Sequence, residues 1–426
     1  MFKEIVRYEL KNKFSRFSTY LYFLMIFAFA FLAMSAIGGA FSNASVHIGP
    51  AGQGKVFINT PITIFLLSTF LTYFGLFIIT AIAGNSACRD FEERSYPLLF
   101  TSPVSKFGYF GGRFFASFIS SSIIMSGSIF GAWVATLMPY IKPDTLGPQN
   151  YAMYVQPFFT AILPNVFFIT AFFFTAGLYT RKMMSIYVSS AVLFMGYLIG
   201  VNIVAQIKQR VIAALVEPFG LMAAQTVTEY WTVHDINTRL IPFTSNMIYN
   251  RLFWITIACV VLVIAYRRFA LKMHKEPREK ASKTKNTAFE MLPPSSRPDV
   301  TQRFTSQTNL QNWASLVKMY MLSIVKNKFF VVFAFISVAF MLYVSSSAGE
   351  MYETQIFPVT WAMLDITSGS FTMFMFLIII FYSGELVWFE RRTNAAKFID
   401  ALPHPDWLPF SAKIGTLFGI IAIFQT

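Results

Sequence analysis

The chain has 426 residues, 55% of them hydrophobic, with 50 phenylalanines and only 13% charged side chains. Soluble domains carry about 25% charged residues, so an ordinary soluble globular fold is excluded. The net charge of +14 resides in loops beside apolar runs, which points to the positive-inside bias of a membrane protein and away from nucleic acid.

The apolar residues gather into blocks of about 20, the length that crosses a hydrocarbon core of about 30 Å as helix. The runs are continuous rather than alternating, which disfavours a β-barrel. The expected fold is an all-α polytopic membrane protein. Cys88 and Cys259 provide neither a disulfide framework nor a metal-ligand spacing. The first apolar run is too long for a cleavable signal, and no small-residue cleavage site follows it.

Phe2 to Arg16 carries five basic residues, and Phe2, Ile5, Val6, Leu10 and Phe14 approximate helical spacing. An amphipathic helix lying in the membrane interface is expected. Spans are expected at about 17–38, 61–84, 114–138, 158–179, 184–204 and 252–266, the last starting near Asn246 with Arg251 at the interface. The loop before Thr60 has Lys55 as its sole Lys or Arg, so the N-terminus is placed inside, in the cytoplasm. The segment 206–250 is an outer one, and Ile207, Val211, Ala214, Leu215 and Phe219 can form the apolar face of a half-helix. These elements make a first half, 1–266. The stretch 267–311 is basic and rich in Pro, Ser and Thr, and reads as a disordered cytoplasmic linker.

The pattern then restarts over 312–426. Lys326-Asn-Lys-Phe329 repeats Lys11-Asn-Lys-Phe14, and further spans are expected at about 330–347 and 367–388. About 13 residues follow Lys413, too few to cross a bilayer. The second half therefore reads as incomplete, and the chain as the N-terminal part of a longer protein.

One charged stretch organises this pattern. Ala87 to Arg113 lies between two apolar runs, with its docking segment at 87–106, and a related segment lies at Leu386–Asp406. At an offset of 300, Asp90 falls on Glu390, Pro103 on Pro403 and Arg113 on Lys413. Both stretches read as short cytoplasmic helices on which a soluble partner docks. Exposed charges would orient the partner and apolar residues would seat in its cleft. The docking candidates are Asp90, Phe91, Glu92, Glu93, Arg94, Leu98, Leu99 and Pro103 in the first, and Glu390, Arg391, Arg392 and Pro403 in the second. The bland alternative is the solvated face of an interfacial helix.

Gly49 to Lys55 matches much of a phosphate-binding loop, but Val56 replaces the hydroxyl residue and no strand precedes it. A flexible loop is the simpler reading. Glu385, near the inner end of a span, is either functional or a carboxylate reaching interfacial water, and the second is favoured. Asn165 and Asn202 are pathway candidates that helix–helix hydrogen bonding explains equally well. His47, His234, His274 and His404 are scattered and no His-Glu-x-x-His occurs, so no catalytic or metal centre is expected.

Six spans, an interfacial first helix and the stretch PLLFTSPVSKFGYFGGR resemble the type-2 ABC exporter permeases, notably the multi-copper enzyme maturation kind. A more particular resemblance rests on Glu217, Pro218, Phe219 and Gly220, then Tyr230, Trp231 and Thr232, Asn237, and Asn250 and Arg251 with Trp254. These residues look like those of permeases fused to a C-terminal zinc aminopeptidase of the gluzincin type. The resemblance implies a six-span type-2 ABC exporter permease half plus the first part of a second half, in a bacterial inner (plasma) membrane. It implies a separate ATPase subunit, which would carry ATP and Mg, and a second permease half in the same chain or a homodimer. Zinc would enter only with a downstream aminopeptidase domain, and the alternative reading is the membrane anchor or feeder of such a peptidase. In the second stretch Asp406-Trp407 replaces Lys106-Phe107, which makes docking there less secure.

Overall fold

The computed structural model describes residues 1–40, 56–93, 95–101, 103–205, 209–269, 306–347, 350–351, 354–355, 359–393, 395, 399, 405 and 407–425. The fold is that of a helical polytopic membrane protein. Among the described residues seven helices are long and apolar enough to cross a membrane, and a bent pair makes an eighth. The chain divides into two compact units, Met1–Met273 and His274–Thr426.

In the first unit α1 (Phe2–Phe14) is followed by α2 (Phe17–Ile37). Part of the apolar face of α1 covers the start of α6 (Lys106–Thr136). Phe2 meets Phe107 and Phe115 with ring centroids 5.6 and 5.9 Å apart. A Cβ on Gly112 would stand 2.7 Å from Ile5 Cγ2, so only glycine lets α1 sit this close. α3 (Pro61–Phe74) begins with the Thr60 hydroxyl accepting from Thr63 N–H and with proline in the first turn, both favourable helix starts. It bends by 48° into α4 (Leu76–Glu92) at Gly75, where Met125 of α6 packs so tightly that a Cβ would lie 2.5 Å from its sulfur.

α5 (Tyr96–Thr101) is a short helix between α4 and α6. α6 starts eight residues before the expected Phe114, because Ser105 caps it by accepting from Gly108 N–H. α7 (Ala152–Pro157) runs through a π turn, Phe158–Ile162, into α8 (Leu163–Thr180). Arg181, at φ 53°, ends α8, and α9 (Met183–Ala205) follows. Three short helices, α10 (Arg210–Val216), α11 (Leu221–Thr228) and α12 (Val233–Thr238), precede α13 (Ser245–Arg268). Val211, expected on the apolar face of a half-helix, is 60% exposed, whereas Ala214 and Phe219 are buried and Ile207 lies outside the described residues. The Ala152–Thr180 stretch is 72% buried and α2 22%, so α8, with α4 and α6 packed on it, forms the core while α2 lies at the periphery.

The second unit contains α14 (Ser306–Val325), α15 (Lys328–Ser347), a two-residue antiparallel ladder pairing Glu350–Met351 with Thr354–Gln355, α16 (Thr360–Arg392) and α17 (Trp407–Gln425). α14 packs on α17, α15 on α16, and α16 on α17. Two stretches of this unit differ from what the sequence leads one to expect. The linker is helical from Ser306, and its residues 270–305 lie outside the described residues. The last apolar stretch is long enough to cross a membrane, because its helix starts at Trp407, six residues before Lys413. α16 runs unbroken through the stretch 367–388, with Met375 at the position that corresponds to Gly75.

Candidate functional site

The first charged stretch is anchored by a buried cluster drawn from three helices. Arg89 and Asp90 come from the end of α4. Tyr109 and Arg113 come from one face of α6, and Glu9 and Lys13 from one face of α1, four residues apart in each case. Arg113 Nη2 lies 2.6 Å from Asp90 Oδ2 and 3.6 Å from Glu9 Oε1, and Arg113 Nη1 donates to Ser86 O at 2.9 Å. Arg89 Nη2 donates to Glu9 Oε1 at 2.7 Å, and the Tyr109 hydroxyl donates to Asp90 Oδ2 at 2.8 Å. The Arg113 guanidinium also stacks 4.5 Å from the Tyr109 ring centroid. Asp90 is 2% exposed and Glu9 1%, so Asp90 anchors the stretch from inside and does not present a solvated charge.

Lys13 completes the cluster by donating to Ser117 Oγ at 2.9 Å. Burial of its ammonium lowers its pKa to about 7. Glu9 opposes that shift, and Arg89, Arg113 and Arg16 reinforce it.

The remaining docking candidates separate. Glu93 and Pro103 are exposed. Glu92 is exposed, yet its carboxylate accepts from Met183 N–H at 2.8 Å, at the N-terminus of α9 where an anion is favoured. Phe91 does not face open surroundings: the Arg181 guanidinium stands 4.6 Å from its ring centroid, and Tyr96 packs at 5.6 Å. Leu98 and Leu99 lie on α5. Arg94, and the side chains of Leu98 and Leu99, lie outside the described residues.

The second stretch has a related anchor. Lys413 Nζ of α17 lies 3.0 Å from Glu390 Oε1 of α16, and the Tyr320 hydroxyl of α14 donates to the same oxygen. Glu390 is thus engaged inside its unit, as Asp90 is in the first. Arg391 is exposed with its guanidinium 5.2 Å from the Trp388 ring centroid. The Arg392 side chain and Pro403 lie outside the described residues.

A second cluster gathers residues of the more particular resemblance at the α10–α11 turn. The Glu217 carboxylate accepts from the Tyr197 hydroxyl at 2.7 Å, Phe219 N–H at 2.8 Å and Met222 N–H at 3.3 Å, which caps the start of α11. Arg251 donates to Asn165 Oδ1 and to Phe219 O, each at 2.8 Å. Asn250 Nδ2 donates to Ala214 O at 2.8 Å and Glu217 O at 2.6 Å, and Trp254 Nε1 to Leu215 O at 3.2 Å. Pro218 O accepts from Arg251 Nη1 at 3.5 Å. Gly220, at φ +81°, supplies the left-handed residue that turns the chain over the Arg251 guanidinium. Arg251 is 9% exposed and held by neutral oxygens, so it is a buried tie between elements. Asn165 belongs to this node, not to an open pathway.

The other members of that resemblance stand apart. Tyr230 is 86% exposed, and Trp231 packs beside the Phe65 cluster with Arg239 5.6 Å from its ring centroid. Thr232 and Asp235 form a capping box at α12, and those hydrogen bonds hold the Asp235 pKa below the usual carboxylate value. Asn237 Oδ1 accepts from Phe57 N–H at 2.9 Å. Tyr197 and Asn165 gave no sequence signal for this node, because their partners lie 20 and 86 residues away.

Glu385 is half-buried on α16. The Asn202 side chain, the loop Gly49 to Lys55, and His47, His274 and His404 lie outside the described residues, while His234 is exposed. Among the described residues no group of three or more His, Cys, Asp or Glu side chains can hold a metal ion. No protein-family model, curated protein or solved structure matches this chain.

Proposed function

We propose that the chain is the membrane-spanning permease component of an ABC-type exporter, driven by ATP hydrolysed on a separate subunit that docks on its two charged stretches. The observation that carries this reading is the paired anchor. In each unit an acidic residue at the end of one long helix closes on a basic residue of the next, Asp90 on Arg113 and Glu390 on Lys413. The intervening stretch is thereby tied at both ends. A push on α5 moves the ends of α4 and α6 together instead of bending a loose loop. In this reading the first unit is a six-span half, the second begins another, and two halves in one chain raise each other's effective concentration. The N-terminus and both stretches face the cytoplasm, as the basic loops favour.

The docking contacts fall to the exposed Glu93 and Pro103, with Glu92 and Arg94 beside them. The test is capture of the nucleotide-binding subunit with the tagged chain, read as Mg-dependent ATPase activity of the purified complex. Replacing Glu92, Glu93 and Arg94 together by alanine is expected to remove that activity from the complex and leave membrane insertion intact. Undiminished ATPase activity in the captured complex would overturn the reading.

A further inference from the structure

A cavity of about 420 Å³ opens between α6 and the start of the α7–α8 segment. Ile129, Phe130 and Trp133 form one wall, and Val155, Phe158 and Phe159 the other. Its second wall is shaped by a break in the regular helix. Pro157 lacks an N–H, and the helix continues through the π turn Phe158–Ile162, a wider coil that departs from the regular side-chain spacing. Ser126 also lines the cavity, but its hydroxyl donates back to Ile123 O at 2.6 Å and offers nothing to a ligand.

One end of the cavity is different. Tyr154 gives its ring to the wall, while its hydroxyl donates to Gln149 Oε1 at 3.4 Å. Gln149 Nε2 in turn donates to Thr136 Oγ1 at 3.3 Å, at the last residue of α6. Tyr151, 72% exposed, stands at the same end. From this polar rim down to Ser126 the helix descends about 15 Å, roughly half the thickness of a hydrocarbon core.

We propose that this cavity holds one acyl chain of a membrane phospholipid, with the headgroup at the helix end where Gln149 and Tyr151 are exposed. The apolar walls suit an alkyl chain and penalise a polar ligand, whose buried groups would go unpaired. The polar rim at the helix end matches the depth at which a lipid changes from chain to headgroup. The proposal requires only that α6 and α7–α8 cross the bilayer, and it stands apart from the transport reading.

The first test counts phospholipid by native mass spectrometry after exhaustive detergent exchange. About one lipid is expected to remain on each wild-type chain. Ile129→Trp fills the cavity and is expected to abolish retention, whereas Phe29→Trp, on an exposed face of α2, keeps it. Equal retention by wild type and Ile129→Trp, or none by wild type, overturns the proposal. A second test avoids the larger side chain. Phosphatidylcholine with brominated acyl chains is titrated into wild type and Trp133→Phe, and the difference in fluorescence reports Trp133 alone. Quenching of that signal should saturate at one lipid per chain. Quenching that rises linearly without saturation overturns the proposal.

Discussion

Arg113 lies 2.6 Å from Asp90 across the ends of two long helices, in a site where Asp90 is only 2% exposed. A buried pair of this kind adds little net stability, because desolvation offsets the attraction. Removing one partner is far more costly, about 3–5 kcal/mol, since it strands the other charge. Asp90→Ala leaves Arg113 with Glu9 at 3.6 Å as its nearest carboxylate and deprives the Tyr109 hydroxyl of its acceptor. A loss of that size is expected in unfolding of the purified protein in detergent. Glu93→Ala, three residues on and exposed, should stay within about 0.5 kcal/mol of wild type. Equal effects from the two substitutions would refute the anchor.

Lys13 gives the same cluster a pH dependence. In the unfolded chain its amine holds a proton up to about pH 10.4. In the folded chain burial brings the pKa down to about 7, while Glu9 resists and Arg89, Arg113 and Arg16 assist. Between those values the unfolded state binds more protons, so this residue makes stability rise as pH climbs from about 7 to about 10. Lys13→Met keeps the stem and removes the titration, and Ser117 Oγ retains its bond to Arg113 O. Unfolding midpoints at pH 7 and pH 9 should show a larger alkaline gain for wild type than for the variant. Identical gains would sink the assignment.

Gly127 and Gly131 sit one turn apart on α6 and let α2 approach backbone to backbone. A Cβ on Gly127 would stand 2.9 Å from Phe23 O, and one on Gly131 would overlap Phe27 O. Neither oxygen can swing aside as a side chain does, so the two helices must separate. Gly131→Ala is expected to cost about 1–3 kcal/mol, in the range of overpacked cores. Gly196→Ala is the control, because a Cβ there meets nothing within 4 Å. Thermal stability of both variants in detergent decides the point, and a tolerated Gly131→Ala would mean that α2 and α6 are not in this close contact.

What the sequence disclosed depended on the range of the forces involved. The run from Phe17 carries no charge, and α2 is legible nearly to the residue. The offset that sets Asp90 on Glu390 and Arg113 on Lys413 was also legible, and both pairs prove to be ion pairs. Which charges are buried was not. Asp90 and Glu93 are alike in type and neighbours in sequence, and only the arrival of Arg113 and Tyr109 separates them. The start of α6 lies earlier than its apolar run because two amphipathic turns precede that run, and the start of α17 is masked by Lys413, a charge inside the helix. The bend at Gly75 has a lone glycine as its local trace, while the Met125 side chain packed there lies 50 residues on. The Gly127–Gly131 spacing, by contrast, is a local signal for close helix packing, but only the structure names α2 as the partner.

Gly220 and Arg251 provide a test of the second cluster. At φ +81° any residue with a Cβ is strained, by about 1–3 kcal/mol. Here the added carbon would also overlap the Arg251 guanidinium and push it away from Asn165 Oδ1 and Phe219 O. Gly220→Ala should therefore destabilise by more than strain alone, and part of the loss should depend on Arg251. In an Arg251→Met background the guanidinium is absent, so adding Gly220→Ala should cost less than it does in wild type. The expected interaction is about 0.5–3 kcal/mol, the range for residues that share a hydrogen-bond network. Unfolding of the two single variants and the double variant in detergent measures it. Losses that add to within about 0.5 kcal/mol would mean that the Gly220 turn and the Arg251 guanidinium are energetically independent.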